Sequence, residues 1–325
     1  MATKSLIAFT LAEWAKRLDP GGKVDKIVEL LNQTNEILED MLFVEGNLPT
    51  GHRTTIRTGL PSVTWRKYNQ GVQSSKSKTA QVDDTCGMCE AYGDVDKALA
   101  DLNGNTTAFR LSEDKSHIES MNQEMATKAI YGDTIGAPEE FLGFGPRYPF
   151  SDAPNVIDSG GTGSNLTSLW MVVWGEDTTF GIFPKGSKAG LQISDKGQVT
   201  LYDVNGGKYE GYSTHYKWDI GLTVRDWRYV VRICNIATTG STNNILADPT
   251  IMIDAYNTLP NMKIGNPVIY CNKTVKTQFD KAAFDKNNAY YTSREVFGRP
   301  VPHFWEMPIK RSDAILNTES QLVPE

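Results

Sequence analysis

Cysteine is scarce in this chain: Cys86, Cys89, Cys234 and Cys271 are the only four among 325 residues. A chain of this length can close a core by apolar burial alone, so no disulfide framework is required, and the spacing defines none. Long apolar runs are missing as well. None approaches the roughly 18 residues of a membrane-spanning helix. The opening Met1-Ala-Thr-Lys-Ser-Leu-Ile-Ala-Phe-Thr10 has one basic residue and too short an apolar stretch for a secretory signal. A soluble product made in a cytoplasm, without a membrane partner, is the expectation. Positive charge is in deficit, 33 Lys and Arg against 39 Asp and Glu for a net −6. That balance argues against nucleic acid or an anionic membrane as the main partner, because phosphate binding needs excess cations. No internal repeat or low-complexity segment occurs. With 39% hydrophobic and 22% charged residues the composition is globular, and a prior of one domain per ~150 residues points to about two domains.

Motifs that carry chemistry are also lacking. Cys86-Gly-Met-Cys89 is a lone C-x-x-C without the second ligand pair that a structural zinc needs. Gly181-Ile-Phe-Pro-Lys-Gly-Ser-Lys188 has Ser and Lys in the wrong order for a phosphate-binding loop. Asp101-Leu-Asn-Gly-Asn105 places Thr106 and Ser112 where a calcium loop has glycine and glutamate. The four histidines, His52, His117, His215 and His303, are scattered, with no G-x-S-x-G, H-E-x-x-H or acid pair beside them. The sequence therefore predicts no catalytic residue, no cofactor and no metal.

What is present is an unusual distribution of charge and extended structure. From Gly46 to Val82 there is no Asp or Glu, while Arg53, Arg57, Arg66, Lys67, Lys76 and Lys78 fall there among abundant Thr and Ser. Breaks at Gly59-Leu-Pro61 and Asn69-Gln-Gly71 make this a hairpin-like excursion that cannot bury itself. Two arms of about 15 residues would reach ~50 Å, against a radius of gyration near ~20 Å for a compact chain of this length. The next stretch inverts the sign, with Asp83, Asp84, Glu90, Asp94, Asp96 and Asp101 against Lys97 alone. The two blocks could pair within one subunit or between neighbours.

Helices are expected from the capping box Thr10 and Glu13 through Leu18, from Val24 to about Phe43, over a short segment capped by Asp94, and from Ser112 to Tyr131 closed by Gly132. Beyond Gly143 strands dominate. Leu169–Trp174 reads as a buried strand, Asn205-Gly-Gly207 as a hairpin turn, and Thr214 to Val224 as a long half-buried strand alternating apolar with polar. At Arg225-Asp226 the parity flips, so that Trp227, Tyr229, Val231 and Ile233 become the apolar set. A one-residue bulge or a tight turn would do this, and the lack of glycine favours the bulge. Asp248-Pro249 opens a helix through Tyr256, Val268–Cys271 is a short strand, Asn272 caps a further helix, and 302–316 is extended.

Leu48–Pro61, Glu90–Asn105, Lys185–Gly190, Asp226–Ile233 and Ile309–Glu319 resemble the major capsid protein of short-tailed bacteriophages, a similarity running from Leu11 to about Glu319. The resemblance implies an α+β Hong Kong 97-type capsid fold. It divides the chain into an N-terminal helical arm at 1–48, an extended basic loop at 49–93, a spine-helix part of the peripheral domain at 94–150, and a strand-rich remainder with the axial domain at 151–325. It implies a shell protein of the virion that assembles with itself as pentamers and hexamers, with scaffolding, portal or decoration proteins as further partners and packaged double-stranded DNA held only non-specifically. The intersubunit contact candidates are Arg53, Arg57, Arg66, Lys67, Lys76, Lys78, Asp83, Asp84, Asp94 and Asp96. Alternatives are another virion component, tail or decoration, or a β-rich carbohydrate-binding module or hydrolase with the Trp218 and Trp227 strands lining a cleft.

Overall fold

A computed structural model describes residues 33–102, 106–203, 205–238, 250–284, 291–296 and 299–325. The helices expected at Thr10–Leu18 and from Val24 lie outside the described residues, except for the end of the second. There the structure corrects the sequence reading: Gln33 and Thr34 are not helical, a single turn α1 occupies Ile37–Asp40, and a strand β1 begins at Phe43 (Phe43–Glu45). The polar pair Thr34 and Asn35 explains it. Buried Asn35 accepts from the Ala314 amide at 3.1 Å, and the Thr34 amide donates to Asp313 at 3.0 Å. The Thr34 carbonyl also accepts from the Asp313 amide at 3.0 Å and the Glu36 amide donates to the Arg311 carbonyl at 3.4 Å, so backbone groups that a continuing helix would need are bonded elsewhere.

The chain forms two compact units. One holds Met88–Met125 and Gly190–Asp219; the other holds Thr34–Gly87, Ala126–Ala189 and Ile220–Glu325. In the first unit, the far part of β3 (Lys78–Asp96), β7 (Gln192–Tyr202) and the near part of β8 (Lys208–Val224) make an antiparallel sheet in the order β7-β8-β3. The β7–β8 turn is the one expected, with Gly206 at φ 86° and the Asp203 carboxylate taking the amides of Asn205 and Gly207. A left-handed residue there needs glycine. Val95, Leu99, Ala100 and Phe109 close a small core.

The helix cap expected at Asp94 falls instead on Asp96, whose side chain accepts from the Ala98 amide at 2.7 Å to start α2 (Lys97–Ala100); Val95 is still strand. The long helix α3 spans Thr106–Tyr131 and so begins six residues before Ser112. Fully buried Phe109 explains the early start, because the small core needs it on a helical turn. Ser112 is not a cap, and its hydroxyl donates back to the Phe109 carbonyl.

In the second unit β5 (Leu166–Trp174) is buried at all nine positions. Leu169, Met171 and Val173 join a core with β9 (Val230–Ala237), β10 (Asn266–Cys271), α4 (Thr250–Thr258) and α5 (Lys273–Phe284). Trp170 and Trp174 meet Phe144 at ring separations of 5.7 and 6.0 Å. Both faces are therefore covered, which is why Leu169–Trp174 reads as an unbroken apolar run. The sheet continues through β6 (Thr179–Phe183) on one side and through β13 (Met307–Arg311), β12 (Arg299–Phe304) and β11 (Tyr291–Val296) on the other. Asn272 caps α5 as expected, accepting from the Val275 amide at 2.9 Å.

Gly132 does end α3, for a reason of space. A Cβ there would lie 2.4 Å from the Phe141 carbonyl oxygen and 2.6 Å from that of Lys128. Neither backbone atom can yield cheaply, so Gly132→Ala is expected to cost the subunit about 1–3 kcal/mol, visible as a lowered Tm of the unassembled chain.

Candidate functional site

The acid-free excursion folds as an antiparallel hairpin. β2 (Gly51–Gly59) pairs with β3 from Gly51↔Thr85 to Gly59↔Lys78, with a register shift between Arg57 and Gly59. Residues 60–77 carry no regular structure, and 60–76 are exposed without a break. Two local ties shape this tip. The Gln70 amide donates to the Lys67 carbonyl with Asn69 at φ 62°, and the Ser75 hydroxyl donates to the Ser62 carbonyl at 2.8 Å. Asparagine is one of the few residues that tolerates that left-handed conformation.

The tip is more apolar than its charge suggests. Leu60 is 80% exposed, Val63 94%, Trp65 100% and Tyr68 96%. Single exposed apolar residues are ordinary, but a run that includes a wholly solvated Trp beside Tyr is a candidate contact surface. Arg57, Arg66, Lys67, Lys76 and Lys78 surround it and form no ion pair among the described residues.

At the base of the hairpin the opposite charges meet inside one subunit. Arg53 and Asp83 pair across the strands through two bonds of 2.6 Å, which hold the Asp83 carboxyl below the usual carboxylate range. Asp84 is buried and takes a 2.7 Å bond from Arg147, which also donates to the Leu222 carbonyl at 2.9 Å. Asp84 is therefore no longer a surface contact candidate. A carboxylate drawn from water needs this fixed partner, and its place is interior. His52, directly opposite Asp84 in the register, packs edge-on against Phe180, and burial lowers its pKa. Of the remaining acids, Asp94 is exposed and Asp96 is spent on its cap.

The other chemistry-bearing side chains stay apart. Cys86, Cys89, Cys234 and Cys271 are not joined in disulfides, and burial pushes Cys234 up to about 12 and Cys271 up as well. No cluster of metal-ligating side chains occurs among the described residues. His215 contacts Glu90 at 3.1 Å beneath a stacked Tyr92, while His117 stacks on Tyr216. In the glycine loop after β6, the Gly186 amide is taken by the Glu45 carboxylate at 2.8 Å, an arrangement hostile to phosphate.

The parity flip at Arg225-Asp226 is made by the tight turn, the alternative that the lack of glycine had disfavoured. No bulge occurs at Arg225-Asp226. β8 ends at Val224, the Asp226 side chain accepts from the Arg228 amide to start a 3-10 turn at Trp227–Tyr229, and β9 follows. An aspartate cap supplies the turn for which glycine seemed necessary. Trp227 consequently leaves the apolar set and is 49% exposed.

A β-rich α+β subunit whose reactive groups are dispersed, and whose largest feature is a solvated aromatic hairpin tip, belongs to the class of chains built to meet other chains. The comparisons make this specific. The family model described as Major capsid protein GP7 matches residues 19–323, and this chain belongs to that family. A chain of the bacteriophage epsilon15 structure is 36% identical, with 99% of each chain covered and a TM-score of 0.74. A bacteriophage JBD30 capsid chain is 8% identical, with 88% of this chain and 93% of that one covered and a TM-score of 0.49. No curated protein matches. The fold is the α+β Hong Kong 97 type, and the protein is a capsid protein of the virion that assembles with itself into the icosahedral head shell.

Proposed function

We propose that the β2–β3 hairpin is the extended loop by which one subunit lies on its neighbour within pentamers and hexamers, and that the chain acts structurally, without catalysis. The observation that carries this reading is the unbroken exposure of 60–76 around Trp65. The tip seats through its rings, with Arg57, Arg66, Lys67, Lys76 and Lys78 at the rim and Asp94 as one acidic counterpart. Arg53, Asp83 and Asp84 serve instead to stiffen the hairpin base. The arm at 1–48, the loop at 49–93, the spine part at 94–150 and the remainder at 151–325 describe this division of labour. Scaffolding, portal or decoration proteins would meet the shell, and DNA would be held only loosely by a chain of net −6.

Limited trypsin digestion tests it. Cleavage at Arg66, Lys67 and Lys76 is expected to be fast in the unassembled subunit and suppressed in closed shells. Equal cleavage in both, or a tip already resistant in the free subunit, would overturn the reading.

A further inference from the structure

Trp227 is presented to solvent on a backbone that is held from inside. Its carbonyl accepts from the Tyr148 hydroxyl at 2.9 Å and from the Asn155 side-chain amide at 3.1 Å, and both donors are buried. Asn155 also donates to the Val230 carbonyl at 2.9 Å, which fixes the far side of the same turn. Trp170 and Trp174 in this unit are 1% and 2% exposed, and Tyr229, two residues on, is buried. The indole of Trp227 is thus left half in water while the neighbouring tryptophans are buried. Arg228 is committed to Asp226 through bonds of 3.0 and 2.7 Å, so the turn offers no net charge. A neutral aromatic on a fixed backbone does not select phosphate or an acidic surface. It suits an apolar recess, and the backbone that carries the ring has little conformational freedom left to lose when it is covered.

We propose that the Trp227 turn is a second anchor between copies of this chain, separate from the hairpin tip, with its ring inserting into an apolar recess of a neighbouring subunit. The occupant is a second copy because the family assembles its shell from copies. The proposal stands on that self-assembly and not on the role of the β2–β3 tip, so the failure of one leaves the other intact.

Trp227→Ala, which also removes the half of the ring that is buried, should lower the Tm of the unassembled subunit modestly and raise the threshold concentration for assembly, read by light scattering at a temperature where the variant is folded, at least about tenfold. Trp227→Phe should recover part of that loss. Tyr148→Phe, which deletes one clamp on the Trp227 carbonyl but keeps the ring, should give a smaller rise. Acrylamide quenching provides a readout independent of any folding defect: the difference between wild type and Trp227→Phe should report an indole accessible in free subunits and shielded in purified shells. An unchanged assembly threshold in Trp227→Ala, or an indole equally quenched in closed shells, would overturn the proposal.

Discussion

Replacing Glu319 by alanine is expected to cost the subunit about 3–5 kcal/mol and to lower its Tm by on the order of 10 °C. The carboxylate is buried near the end of the chain and pairs with buried Arg232 at 3.1 Å. It also accepts from the Ser168 hydroxyl at 2.5 Å and from the Tyr131 hydroxyl, whose pKa burial and Glu319 together push well up. Arg232 also donates to the Ser168 hydroxyl and the Tyr148 carbonyl and lies over the Trp170 ring at 4.9 Å. Removing Glu319 therefore leaves a guanidinium in the interior with no counter-charge. The pair itself need not be net stabilising, since desolvation offsets most of its Coulomb gain. The decisive comparison is a double-mutant cycle. Glu319→Leu combined with Arg232→Met should recover much of what either single change loses, and strict additivity of the two losses would show that they do not act as a pair. The same carboxylate residue exchanges backbone bonds with Leu166, and Asn235 clasps Leu322 through both its amide groups. Truncation before residue 319 should consequently resemble Glu319→Ala.

Nothing in the sequence announced that pair, because Arg232 and Glu319 are 87 positions apart and each looks like a surface charge. The features that were legible are those whose cause is local. The β7–β8 turn rests on Gly206, the α5 start on Asn272, the buried β5 on the apolar run Leu169–Trp174, and the hairpin on a stretch with turn signals and no acid to pair within it. Misreadings occurred where a side chain replaced a backbone signal or a distant contact decided a boundary. Asp226 made a turn without glycine, Thr34 spent its amide and carbonyl on Asp313 in place of a helix, and Phe109 drew α3 back to Thr106. The contact candidates split in the same way. Their charge was readable, but whether a charge faces water or a partner within the fold depends on register, and the register put Asp83 opposite Arg53. Strand order is likewise absent from local pattern, since β5 alone has β10, β6 and β9 as neighbours.

Trp65→Ala is expected to raise the assembly threshold by about 30-fold, the equivalent of roughly 2 kcal/mol at one interface anchor, while leaving the Tm of the free subunit unchanged. The second half of that expectation follows from exposure. A side chain 100% solvated in the subunit contributes no burial to its fold, so its loss can act only where a partner covers it. Reversing charge at Arg66 and Lys67 should weaken assembly far less at physiological salt, because each exposed pair contributes ~0.2–1 kcal/mol and is screened. The two variants separate the sources of contact energy. If ring burial dominates, Trp65→Ala is severe at all ionic strengths and the charge reversal matters chiefly in low salt. If the cations dominate, the order inverts, and wild-type assembly itself should fall steeply as salt rises. Magnitude favours the ring, since a Trp that goes from full exposure to burial removes on the order of 200 Å² from water, more than two screened ion pairs can match. A Trp65→Ala subunit that closes shells at the wild-type threshold would show that the tip lies uncovered in the shell, and the hairpin would lose its place as the seat of contact.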